Sequence, residues 1–182
     1  MRVLNAGRTL TVPANFSALG LIAATLCLLQ VGCTSSSAFR LDEGESLPSG
    51  IGSVSVEVSA DLPADRASRL REASGIGRVR QAVLDQLDEA NLWKPGLETS
   101  LKVVIVGVRV RSGASSTMLG GMSGDDYLAV EVDVLAEDAT VARLQASASS
   151  ARSGLFAYSV GKRLDNLCRA TSKELVGALA EH

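Results

Sequence analysis

Two alternating stretches set the fold class of this chain. The first, residues 100–111, reads SLKVVIVGVRVR and carries Val104, Val106, Val108 and Val110 at every second position. The second, residues 127–137, reads YLAVEVDVLAE and carries Leu128, Val130, Val132 and Val134 in the same way, with Ala129, Glu131 and Asp133 between them. A period of two puts one set on one face of a β-strand and the other set on the opposite face. The first half of 100–111 is apolar on both faces, because Leu101, Val103 and Ile105 fill the other side. That predicts a strand inside a sheet. Arg109 and Arg111 emerge at its end. The two stretches read as a hairpin. A register centred near Gly120 sets Val110 opposite Val130, Val108 opposite Val132, Val106 opposite Val134 and Arg109 opposite Glu131. A one-residue slip sets valines against charges, which the pattern resists.

The rest of the domain follows from periodicity. Ile51 to Val58 alternates and predicts a first strand with one buried face. Ala67 to Glu72 predicts a helical turn or two, interrupted at Ser74-Gly75. Ile76, Val79, Val83, Leu87 and Ala90 then recur at helical spacing. Trp93-Lys94-Pro95-Gly96 stops that helix, and Trp93 is expected to cover one end of the core. After a turn at Asp138-Ala139-Thr140, Val141 to Ser149 predicts a fourth strand, with Leu144 opposite Val134 and Ala146 opposite Val132. Its far half is small and polar and reads either as an edge open to a strand from a partner or as a strand that something else packs against. From Ser159 onward a last helix carries Val160, Leu164, Leu167, Cys168, Leu175 and Leu179. The order β-α-β-β-β-α implies an α+β fold: a single sheet of about four strands with two helices packed on one face.

Residues 1–32 read as a signal peptide. Arg2 and Arg8 precede an apolar run from Phe16, and no acidic residue occurs before Asp42. A basic start, an apolar middle and small residues before a cleavage point make the secretory pattern. The run is also about the length of a short bilayer span, so a retained anchor is the competing reading. The segment LLQVGC, through Val31, Gly32 and Cys33, resembles the lipobox of bacterial lipoproteins. That resemblance implies cleavage before Cys33 and acyl chains, palmitate among them, on Cys33. With Thr34 rather than Asp after the cysteine, it implies the outer membrane, with the protein facing the periplasm. Residues 33–50 then form a flexible tether and residues 51–182 an α+β periplasmic domain.

Chemistry is sparse. With Arg2 and Arg8 gone, sixteen Lys and Arg against twenty Asp and Glu leave a formal charge of −4. A mildly acidic domain argues against nucleic acid as a partner. The one histidine is His182, which leaves no Ser-His-Asp relay and no His-rich zinc site. Cys168 has no thiol to pair with once Cys27 leaves and Cys33 is lipidated; it reads as a small buried helix residue. Asp125-Asp126 is the best acidic pair for catalysis or calcium, with hairpin capping as the plainer reading; Glu131 and Asp133 are the other acids weighed. The segment 113–124 has glycines at 113, 120, 121 and 124 but no nucleotide-loop pattern. It exceeds the usual hairpin loop of about two to five residues. Met118, Leu119, Gly120, Gly121 and Met122 form the candidate contact surface for a protein partner or a membrane. The plainer alternative is a flexible tip or one folded back on its sheet. No catalytic residue, cofactor or metal site is expected.

Arg109 and Arg111, then Gly120-Gly121 and Gly124, then LAVEVDVLAED, all behind a lipobox cysteine, carry a wider resemblance. Over about Ile51 to His182 the chain resembles small bacterial outer-membrane lipoproteins catalogued as a domain of unknown function. Its layout is similar to periplasmic domains of curli-type secretion lipoproteins, with Asp138-Ala139-Thr140 where that group has Asp followed by Thr-Gly. Tether, size and sparse chemistry together point to a non-enzymatic, lipid-anchored domain that binds or helps assemble envelope components. Its partners are the membrane, through the lipid on Cys33, and envelope proteins. The alternative is a small-ligand or envelope-polymer binding lipoprotein with a cavity lined by Trp93, Tyr127 or Tyr158.

Overall fold

Alternation builds a mixed sheet of five strands in the computed structural model, which describes residues 34–40, 49–111, 125–150 and 159–181. The strands are β1 (Thr34–Arg40), β2 (Ser53–Val58), β3 (Ser100–Arg109), β4 (Asp126–Ala136) and β5 (Ala139–Ser150). The helices are α1 (Ala64–Glu72), α2 (Gly75–Glu89) and α3 (Val160–Ala180). The spatial order of the strands is β1-β5-β4-β3-β2. β2 runs parallel to β3, and the other pairs are antiparallel. The α+β class holds, but the described residues form five strands rather than four and three helices rather than two.

The additional strand comes from residues expected to be tether. β1 pairs with β5, Thr34 opposite Ser150 and Arg40 opposite Leu144. Serine hydroxyls meet across the pair, Ser35 with Ser149 at 2.8 Å and Ser37 with Ser147 at 3.4 Å. On the other face Ser36 Oγ donates to Glu174 of α3 at 2.9 Å, and Ala38 packs against the core. Such a strand has almost no apolar alternation, so its signal in the sequence is weak; backbone ladder and cross-strand hydroxyls hold it. The small, polar half of β5 is therefore not an open edge: the chain's own β1 covers it. Residues 41–48 of the expected tether lie outside the described residues.

The additional helix follows from the break at Ser74-Gly75. Ser74 is left-handed, with φ 54°. A Cβ on Gly75 would lie 2.2 Å from Leu70 Cδ1, so α2 starts hard against the last turns of α1. Most of the two predicted stripes is buried, but Ala90, past the end of α2, and Val160, at the start of α3, are exposed. Val79, Val83 and Leu87 of α2 and Leu164, Leu167, Leu175 and Leu179 of α3 are buried in one apolar cluster with the sheet. That face of the sheet carries Leu101, Val103, Ile105, Leu128, Val130, Val132, Val134, Ala142 and Leu144, all 0–1 % exposed.

The β3–β4 register differs from the expected one. Leu101, Val103 and Ile105 oppose Val134, Val132 and Val130, and Val104 opposes Glu131. A bulge between Ile105 and Gly107 then shifts the parity, so that Val108 opposes Leu128 and Arg109 opposes Tyr127. The bulge lets the odd residues face the core before it and Val108 face the core after it. The expected Arg109–Glu131 pair does not form. With both faces of residues 101–106 apolar, alternation could not choose between them. The β4–β5 hairpin turns on Glu137 and Asp138, with φ 50° and 67°. This is the two-residue primed turn whose twist matches the strands. Leu144 opposes Val132 and Ala146 opposes Val130, two residues from the expected register. An even slip keeps the same side chains on the core face.

Candidate functional site

Among the described residues, one end of the sheet holds three buried charges. Arg111 follows β3, Asp126 opens β4 and Arg163 lies in the first turn of α3. Arg111 Nε donates to Asp126 Oδ1 at 3.2 Å, and Arg163 Nη1 donates to Asp126 Oδ2 at 3.0 Å. The Arg111 backbone N–H also donates to Asp126 Oδ1, at 2.9 Å. Arg163 Nη2 donates to the Arg111 carbonyl oxygen. The side chains are 4 %, 1 % and 4 % exposed for Arg111, Asp126 and Arg163. Two guanidinium groups share one carboxylate in a dry place. Arg163 Nε is buried with no hydrogen-bond partner among the described residues.

Beside this cluster a groove of about 920 Å³ opens between α1, the end of β3 and the start of α3. Leu70, Val108 and Leu164, all buried, stand among its lining. Among the described residues five arginines line it, Arg66, Arg69, Arg78, Arg109 and Arg111, against the two carboxylates of Asp65 and Glu72. Arg78 pairs with Asp165 of α3 and donates from Nε to the Ala73 carbonyl at 2.9 Å. Arg109 donates from Nε to the Asp125 carbonyl at 2.9 Å. Arg66 and Arg69 are exposed, and their guanidinium groups have no partner among the described residues. A planar guanidinium matches carboxylate and phosphate oxygens two at a time. The lining is thus suited to an anionic group with an apolar neighbour.

The residues singled out from the sequence fall in several places. Cys33, Met118, Leu119, Gly120, Gly121, Met122 and Tyr158 lie outside the described residues. The two flanks of the 113–124 segment, Arg111 and Asp125, do sit at the groove end of the sheet. Asp126 is a buried ionic tie rather than an open acid. Glu131 and Asp133 are on the face of the sheet away from the helices, and Asp133 accepts from Arg143 Nε at 2.8 Å. Trp93 packs against the core at the opposite end, bridged to Ile51, as a core-covering tryptophan should. The Tyr127 ring lies against Gly107, where a Cβ would come within 2.7 Å of it. Neither aromatic lines the groove. Cys168 is buried, and burial, with Asp165 adding to it against Arg78, pushes its thiol from 9.0 up to about 12. Among the described residues no group of carboxylate, cysteine and histidine side chains could hold a metal ion, and no helix is long and apolar enough to cross a membrane.

Sequence reasoning missed Arg163, Arg66 and Arg69. Arg163 had a signal: it falls between Val160 and Leu167 on the apolar stripe of α3, where a charge needs a buried partner. Arg66 and Arg69 carried none, because exposed arginines on a short helix look the same beside a groove or away from one.

No protein-family model matches the chain, and no curated protein is found to be similar to it. Solved structures that resemble it include a PelC dodecamer from Paraburkholderia phytofirmans, at 12 % identity and TM-score 0.49, over 81 % of this chain and 98 % of that one. A singly substituted variant of that dodecamer is similar at 12 % identity and TM-score 0.43, over 79 % of this chain and 97 % of that one. A PDZ domain protein from Parabacteroides distasonis is similar at 9 % identity and TM-score 0.33, over 86 % of this chain and 39 % of that one.

Proposed function

We propose that this chain is a non-enzymatic, lipid-anchored periplasmic domain at the outer membrane, which binds or helps assemble envelope components through the arginine-lined groove. The observation that carries this reading is the contrast between Asp126 and its surroundings. The acid best placed for chemistry is clamped at 1 % exposure between two guanidinium groups, while the groove beside it is open and lined by five arginines. That arrangement supports holding a ligand rather than turning one over. Its volume, about 920 Å³, also suits the second reading, a small-ligand or envelope-polymer binder. No aromatic stands among the described lining residues, so an acidic ligand fits it better than a neutral sugar.

Cross-linking in native membranes, read by mass spectrometry, tests the reading. The native chain is expected to capture envelope components, and an Arg66→Glu/Arg69→Glu variant is expected to lose them while staying folded. An unchanged set of partners would sink the groove's role. A Cys33→Ser variant should lose palmitate label and leave the membrane fraction; full retention of both would overturn the anchor.

A further inference from the structure

We propose that the arginine-lined groove faces the membrane carrying the Cys33 anchor and takes the phosphate headgroups of that membrane's anionic phospholipids. The inference rests on the anchor reading above and adds an orientation and a ligand to it. Cys33 directly precedes Thr34, the first residue of β1, so the anchor is one residue step, about 3.8 Å, from the sheet. The register then places that point. Thr34 opposes Ser150, Ser150 opposes Asp126, and Asp126 holds Arg111 and Arg163. Arg109 opposes Tyr127 at the same end. β1 runs from this end toward the middle of the sheet, so the anchor point lies at the groove end. Three strand spacings, about 14 Å, separate β1 from β3. A bilayer reached by acyl chains without a spacer therefore lies across this end, within reach of the groove.

Charge agrees with that placement. The domain is acidic overall, yet five arginines line the groove; Arg78 is paired with Asp165 and Arg111 with Asp126, and Arg66, Arg69 and Arg109 stand in the same lining as Asp65 and Glu72. The opposite end carries Asp88 and Glu89 at the close of α2 and the exposed turn Glu137-Asp138. The domain is thus polarised along its strands, cationic toward the anchor and anionic away from it. Val160 and Gly161, at the amino end of α3, also line the groove, and a helix start adds to its attraction for phosphate. The accessible apolar part of the lining, Val110 and Val160, suits the glycerol and first methylenes below a headgroup. Each basic group near an anionic membrane contributes about fivefold to association.

The test uses the full, lipidated protein, purified from membranes and reconstituted into vesicles of phosphatidylcholine, with or without phosphatidylglycerol. A fluorophore is placed on Val160→Cys at the groove rim or on Glu137→Cys at the far end; buried Cys168 stays unlabelled. Quenching by headgroup-spin-labelled lipid reports proximity. Position 160 is expected to be quenched more strongly when phosphatidylglycerol is present, and position 137 weakly in both vesicles. The Arg66→Glu/Arg69→Glu pair should lower the phosphatidylglycerol-dependent quenching by about fivefold or more. Equal quenching at both positions, or no dependence on phosphatidylglycerol, overturns the inference. Palmitate labelling and vesicle flotation are scored on the same preparations. Retained label without lipid dependence defeats this inference alone, whereas absent label defeats the anchor reading and the inference with it.

Discussion

Asp126 decides what the candidate site is. It binds the residue after β3 and the first turn of α3, so one carboxylate ties three elements at their ends. Breaking one member of a buried ionic group leaves the others uncompensated, at a cost of about 3–5 kcal/mol. Asp126→Asn is therefore expected to lower unfolding stability by about that much in urea titration. Replacing all three charges by Met and Leu should cost less than the single change, because Asp126 and the two guanidinium groups paired with it leave together. Cys168 offers a second check. Its thiol is held neutral to about 12, against 9.0 for an ordinary thiol. The native state thus keeps a proton that the unfolded chain gives up, and stability contributed by that thiol is lost as pH rises from about 9 toward 12. Iodoacetamide at pH 9 should spare the folded protein and modify it once unfolded. Rapid modification in the native state would contradict the burial. Cys168 was legible in the sequence from its place on a helical stripe; for Arg163, on the same stripe, position signalled burial but not the partner, which lies 37 residues earlier in the chain.

At the scale of elements, β5 is shaped by how closely α3 approaches it. Ala142, Ala146 and Ala148 are buried on the core face of β5, beneath the helix. Their size is the reason the strand looked polar and edge-like. A small side chain in a packed layer tolerates little growth, so Ala146→Leu is expected to cost about 1–3 kcal/mol by chemical denaturation. Thr140→Leu, at an exposed position beside the turn, should be near neutral. In β3 the apolar character was plain, but its register was set by one bulge and by Tyr127 lying over Gly107, which no period of two contains. Where one face was clearly polar, as on β4, the buried set was read correctly.

At the scale of the molecule, the proposed anchoring at Cys33, the residue directly before β1, has a mechanical consequence. On that proposal, a tether of one residue is expected to restrict how the domain turns above the bilayer. Inserting a ten-residue Gly-Ser linker between Cys33 and Thr34 gives a reach of about 17 Å by flexible-chain scaling. The variant should keep its fold and its membrane association but lose the difference in quenching between positions 160 and 137 on phosphatidylcholine vesicles. If the difference persisted there, the register of β1 would not be what orients the domain. No contact within the domain changes in that variant, so only the attitude of the whole molecule to the bilayer is altered.

Local sequence pattern carries the α+β class, the two long amphipathic helices and the core face of β4. Each of these is written locally, in a period or in residue types. The tertiary structure alone decided the fifth strand, the parallel β2–β3 pair, the registers and the groove. Those depend on partners far apart in the chain: serine hydroxyls meeting across β1 and β5, a bulge that changes parity, and Arg163 reaching back to Asp126. Hydrogen bonding and charge pairing leave no periodic trace, so only the folded arrangement brings the arginines and the start of β1 to one end of the sheet.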